Sequence, residues 1–168
     1  GLATDDAHSY YNFKVGTANS GRGWVMVYGH ALKDEDIVNA LIAGDFYSSS
    51  GVLLDDLNIT DNQIMVAIKD VPGIVYTTQF IGTPMNADTS SSPIADDDGQ
   101  PLHISRVYSN EIGQVLFETN ENPAIYHFKK DELYVRVKII SNHKHPNPYA
   151  EGDFEMAWTQ PVVLSTRK

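Results

Sequence analysis

The apolar positions change period twice along the chain. From Gly23 the run Trp24-Val25-Met26-Val27-Tyr28 is apolar throughout, short, and rich in β-branched and aromatic residues, as expected for a buried strand covered on both faces. Ile37, Ala40 and Leu41 then recur at three-and-four spacing. They predict one amphipathic helix over 34–43, with Asp34 placed to cap it and Gly44 to end it. Strand-like Phe46-Tyr47-Ser48 follows.

After Gly51 the pattern becomes one of short β segments separated by Asn, Asp, Gly and Pro clusters, with candidates at 52–59, 63–69, 75–81, 114–118, 124–128, 133–140 and 158–164. In the clearest, Leu133, Val135, Val137 and Ile139 alternate with Tyr134, Arg136 and Lys138, so one apolar face turns inward and one polar face outward. Such strands joined by short turns predict a sandwich of antiparallel sheets. The stretch between Pro84 and Pro101 is dense in Ser, Asp and Pro; it reads as a mobile surface loop, too polar to pack and too long for a hairpin turn. No internal repeat of 20 to 50 residues is visible.

Composition narrows the class. With 168 residues and 42% hydrophobic content, the chain is long enough to bury a core as one or two small domains. Its apolar runs are far shorter than the roughly 20 residues a membrane helix needs, so no membrane span is expected. Twelve basic against 22 acidic residues give a net charge of −10, which repels phosphate backbones and argues against nucleic-acid binding by this piece alone. The absence of cysteine excludes disulfide scaffolds, zinc ribbons and thiol nucleophiles and is compatible with bacterial exported and cytosolic proteins alike. The opening Gly1-Leu2-Ala3-Thr4-Asp5 lacks the basic start and apolar run of a signal peptide and reads like the interior of a longer chain.

Candidate chemistry begins at Thr4-Asp5-Asp6-Ala7-His8. On an extended segment, residues two apart point to one side, so Asp6 and His8 could both reach one cation. A carboxylate with an imidazole suits zinc, manganese or iron better than calcium. The plainer alternative is a turn-forming Asp beside a solvated His. His143-Lys144-His145 precedes Pro146-Asn147-Pro148 and reads as a solvated surface turn. Asp96-Asp97-Asp98-Gly99 lacks the alternate spacing and later Glu of a calcium loop and reads as a turn. Trp24 and Trp158 could stack on a sugar, although a tryptophan in an apolar strand is ordinarily core.

The order Asp5-Asp6-Ala7-His8, a loop with Gly21-Arg22-Gly23, an apolar strand, a helix, and then Gly44-Asp45-Phe46-Tyr47-Ser48-Ser49-Ser50-Gly51 resembles the end of a PHP (polymerase and histidinol phosphatase) domain. Tyr134-Val135-Arg136-Val137 and the ending Ala157-Trp158-Thr159-Gln160-Pro161-Val162 are similar to PHP proteins with an appended β domain.

The resemblance implies a mainly β (α+β) chain in which residues 1–51 complete a PHP α/β barrel and 52–168 form a β-sandwich. It implies that Asp6 and His8 are the last metal ligands, with Asp5 as a group that orients them or caps the segment. Further His and Glu ligands would be supplied by the N-terminal remainder of the barrel. It also implies hydrolysis of a small phosphorylated substrate, with clustered divalent metal (Zn, Mn or Fe) lowering the pKa of water and neutralising phosphoryl charge. The rival expectation from another class is a non-catalytic β-sandwich module that binds a carbohydrate or a protein partner.

Overall fold

A computed structural model describes residues 1–164, with residues 103–105 described by their backbone alone; the last four residues of the expected second domain lie outside it. Strand accounts for 45% of the described residues and helix for 6%, so the protein is mainly β. Its sheets are antiparallel and open rather than closed into a barrel. Among the described residues, no helix is long and apolar enough to cross a membrane.

Two sheets enclose the core. The larger has seven strands: β1 (Trp24–Val27), β2 (Phe46–Ser49), β5 (Tyr76–Pro84), β8 (Gln114–Thr119), β10 (Glu132–Lys144), β11 (Phe154–Thr159) and β12 (Val162–Val163). Its order is β1-β2-β11-β10-β5-β8, and β12 continues the β11 side of β10 by pairing at Tyr134 and Val135. The smaller sheet is β3 (Leu54–Ile59), β4 (Gln63–Ile68) and β9 (Ala124–His127). Ile64, Val66 and Ile68 of β4 and Ala124 and Tyr126 of β9 pack against Phe80, Val135, Val137, Ile139 and Ala157 of the larger sheet.

Close approach within the larger sheet explains one glycine. A Cβ at Gly82 would stand 2.6 Å from the Tyr134 carbonyl oxygen and 2.6 Å from a Leu116 methyl, so any side chain there forces β5 away from β10.

The inward alternation of β10 holds at Val135, Val137 and Ile139 and fails at Leu133. A register shift between Glu132 and Tyr134 turns Leu133 outward and Glu132 inward, the expected effect of a bulge on the period-two pattern. The predicted single strand over 158–164 is instead two, β11 and β12. Pro161 between them has no N–H for a ladder bond.

The helix α1 (Asp34–Ala43) forms where expected, but Lys33, not Asp34, occupies the capping position and makes no side-chain cap bond. Asp34, Glu35 and Asp36 lie in the first turn, where negative charge complements the helix dipole. Gly44 ends the helix in the left-handed conformation, with φ 86°.

Three expectations need correction. First, the apolar run of β1 is not covered on both faces: β1 is an edge strand, and Trp24 and Met26 are 37% and 39% exposed. Second, the stretch between Pro84 and Pro101 is not structureless. It contains β6 (Ser91–Ala95), which pairs antiparallel with β7 (Pro101–Tyr108) around a turn in which the Asp96 carboxylate accepts the N–H groups of Asp98 and Gln100. Third, residue 51 marks no break in the hydrogen bonding, because β2 pairs with β11 at Ser49–Ala157, Ser48–Trp158 and Tyr47–Thr159. Residues 1–51 and 52–164 therefore share one sheet.

Candidate functional site

Asp5, Asp6 and His8 lie on the segment before β1. Burial alternates along it: Ala3, Asp5, Ala7 and Ser9 are half-buried, whereas Thr4, Asp6, His8 and Tyr10 are exposed. Asp6 and His8 thus share the solvent side, with 91% and 73% of their side chains exposed. The backbone is not simply extended, since Asp6 has φ 46°, a left-handed conformation that Asp tolerates better than most residues.

That turn brings the two side chains together. His8 Nδ1–H donates to the Asp6 carbonyl at 2.5 Å, and Nδ1 lies 3.9 Å from Asp6 Oδ1. A ring whose Nδ1–H is committed to a carbonyl presents its Nε2 lone pair outward, the tautomer a metal-binding histidine needs. A carboxylate beside an imidazole is a donor set of the kind a divalent cation accepts. Among the described residues no group of three or more His, Cys, Asp or Glu is placed to hold a metal ion.

Asp5 does different work. Its Oδ2 accepts the Gly21 N–H at 2.7 Å, and its Oδ1 accepts those of Arg22 and Gly23 at 2.9 and 2.8 Å. Gly21, with φ 80°, helps three successive N–H groups converge on one carboxylate. The His8 ring nitrogen is therefore held by the Asp6 carbonyl, and the Asp5 carboxylate anchors the 21–23 loop.

Burial pushes the Asp5 carboxyl up, but the N–H groups of Gly21, Gly23 and Arg22 and the Arg22 charge outweigh it and hold it below its ordinary value. A lowered carboxyl pKa stabilises the fold above the ordinary value of 3.8, and that contribution is lost as pH falls below it. Asp5→Asn is accordingly expected to lower stability at pH 7 by about 1 kcal/mol, since the partly solvated loop donors recover water. It should also flatten the fall in stability below pH 4. Urea denaturation of both proteins between pH 3 and 7 checks this; parallel pH curves would remove the role assigned to Asp5.

The loop between Ser9 and Arg22 is built around Asn19, which is fully buried. Asn19 Nδ2 donates to the carbonyls of Ser9 and Asn12, and its Oδ1 accepts from the Lys14 N–H and the Thr17 hydroxyl. The Ala18 carbonyl in turn accepts the N–H groups of His8 and Ser9, both at 2.9 Å.

The 143–145 segment corrects the expectation of a solvated turn. His143 lies near the end of β10 and is exposed, 3.2 Å from Glu155 Oε2. His145 is buried. Its Nδ1 accepts the Asn147 N–H at 3.1 Å, so the Nε2–H donates to the Arg22 carbonyl at 3.2 Å. The sequence does not single out Asn19, and it places Arg22 in a glycine-flanked loop and His145 in a solvated turn, because burial of a polar side chain carries no periodic signal. The only hint was glycine on both sides of Arg22.

Neither tryptophan belongs to the core. Trp24 sits on the edge strand, and half-buried Trp158 lines a cavity of about 290 Å³ with Tyr149, Phe154, Met156 and Arg22. No family model, no curated protein and no solved structure matches this chain.

Proposed function

We propose that this chain supplies the last metal-binding motif, Asp6 and His8, of a metal-dependent phosphoester hydrolase resembling the PHP family. Residues of the parent N-terminal to this chain would complete the ligand set, and the sheets of this chain form its accessory part. The reading rests on one observation: Asp6 and His8 face solvent side by side, with the His8 ring fixed by the Asp6 carbonyl in the ligating tautomer. The open edge of β1, with exposed Trp24 and Met26 and the adjoining Tyr28, supports it, because an apolar strand of this kind is ordinarily covered.

In this reading the Asp6 carboxylate and His8 Nε2 hold the cation, Ala7 turns inward beneath them, and Asp5 fixes the loop behind. A bound Zn, Mn or Fe ion would polarise the phosphoryl oxygens and supply activated water. Metal analysis and phosphoesterase assays of the full-length parent beside Asp6→Ala and His8→Ala test it. Each variant is expected to lose metal and at least tenfold of the activity. The 168-residue chain alone is expected to show no turnover above adventitious metal, because two ligands do not hold a multinuclear site. Unchanged metal content and hydrolysis in both parent variants would remove these residues from the site.

A second reading, a non-catalytic module for a carbohydrate or a protein partner, draws on the aromatic lining around Trp158. Tryptophan fluorescence titrated with oligosaccharides separates the two, since saturable quenching lost in Trp158→Ala would favour binding.

A further inference from the structure

The loop that carries His8 is held from outside by the connection between β10 and β11. Arg22 donates from Nε to the Asn147 carbonyl at 2.8 Å and from one terminal nitrogen to the Pro148 carbonyl at 3.0 Å. The same terminal nitrogen reaches the Lys14 carbonyl at 3.2 Å and Asn19 Oδ1 at 3.0 Å, and the other donates to the Thr17 carbonyl. Its guanidinium centre lies 5.6 Å from the centre of the Tyr149 ring, within cation–π range.

The other contacts come from main-chain, amide and imidazole groups. Gly16 N–H donates to the Tyr149 carbonyl at 2.8 Å, Asn147 Nδ2 to the Ser20 carbonyl at 3.3 Å, and His145 to the Arg22 carbonyl. Residues 145–149 and 14–22 are more than 120 apart in sequence, so this is a tertiary clamp and not a local turn.

The clamp leads by consecutive bonds to the candidate ligands. Arg22 holds Asn19 Oδ1, Asn19 Nδ2 holds the Ser9 carbonyl, and the adjacent Ala18 carbonyl holds the His8 and Ser9 N–H groups. On the other side, Asp5 fixes the main-chain N–H groups of residues 21–23. We infer that Arg22 and the 145–149 connection are positioning elements for the Asp6–His8 pair, so that the β10–β11 hairpin sets the geometry of a site it does not touch. The step from positioning to metal affinity rests on the functional reading above; the positioning itself does not.

Arginine is required because one planar fork serves several carbonyls at once. A lysine keeps the charge but is a single point donor. Arg22→Lys, with Asn147→Ala as the milder variant, is therefore the test, read by amide hydrogen exchange and by the ring ¹⁵N shifts of His8. Exchange at His8, Ser9 and Gly16 is expected to accelerate tenfold or more in Arg22→Lys while Val137 and Ile139 of β10 keep their protection. The His8 ring should move from one tautomer towards an average of two. Unchanged exchange at His8 and Ser9 in both variants would overturn the inference, as would a uniform rise across the whole sheet in both. Titration of the chain with Zn²⁺ separates the two claims. A several-fold weaker response of Asp6 and His8 in Arg22→Lys extends positioning to the metal. If Zn²⁺ perturbs neither residue in the unaltered chain, positioning does not extend to metal bound by this chain alone, and the exchange data decide the clamp.

Discussion

Phe80→Ala is expected to lower the free energy of unfolding by about 4 kcal/mol, the range seen when a buried aromatic ring is deleted from a core. Phe80 is wholly buried, near the middle of β5 and opposite Val137 of β10. Its ring stacks on Tyr126 of the smaller sheet, with centroids 5.2 Å apart, and on Phe117 of β8, 6.0 Å away. It therefore joins neighbouring strands of one sheet and both layers of the sandwich. Truncation leaves a cavity walled by strands whose ladders resist collapse, and forfeits the ring–ring contacts as well. Phe117→Ala is the comparison, because Phe117 is 44% exposed and should cost less than half as much. Urea denaturation followed by circular dichroism measures both. A loss for Phe80→Ala no larger than for Phe117→Ala would mean that the interface between the sheets is not where the core energy lies.

The second large effect is expected at Glu132, which the bulge turns into the interior. One oxygen accepts the Tyr126 hydroxyl and the other the Lys129 N–H at 2.9 Å. Glu132→Ala strands both donors, at a cost of about 3 kcal/mol in all. Glu132→Gln keeps an acceptor for the Tyr126 hydroxyl but presents an amide N–H₂ towards the Lys129 N–H, and should cost about half as much. Burial, then the Glu132 hydrogen bond and charge, push the Tyr126 hydroxyl above its ordinary value of 10.0. A raised phenol pKa stabilises the fold below pH 10 and is lost as pH rises beyond it. Ultraviolet titration should accordingly show at least one tyrosine resisting ionisation until the protein unfolds at alkaline pH, and Glu132→Ala should lower the number that resist by one. A tyrosine count that titrates fully near pH 10 in the unaltered protein would contradict this arrangement.

The strands were legible wherever one face is dry. Val135, Val137 and Ile139, and likewise Ile64, Val66 and Ile68, alternate with residues less buried than themselves, and the sequence period follows directly. Strands β6 and β7 were missed because Ser91, Ser92 and Pro93 border no core, so pairing there has no apolar period to betray it. Strand β1 has the residues of a covered strand, yet among the described residues nothing covers the face that carries Trp24 and Met26. Glu132 and Leu133 exchange places because a bulge is a two-residue event below the resolution of any periodic pattern. At the candidate site, the shared side of Asp6 and His8 followed from their spacing. The left-handed turn at Asp6, the triple anchoring by Asp5 and the contacts of Arg22 did not, since each depends on residues distant along the chain.

The pairing of β2 with β11 fixes an order of events during synthesis. Tyr47, Ser48 and Ser49 find their partners at Thr159, Trp158 and Ala157 respectively, more than a hundred residues later. A nascent chain can form the β3–β4 hairpin early, but β2 keeps a bare edge until residues 157–159 have left the ribosome. Contacts closed across so long a loop form slowly, and an unpaired apolar edge invites foreign strands while it waits. The serine-rich sequence Ser48-Ser49-Ser50 on that edge makes the exposed interval less adhesive than the Trp24–Val27 strand beside it. Premature termination anywhere before Phe154 would leave β2 and β10 without the strand that joins them, and such truncated products are the ones a cell's proteases should find first.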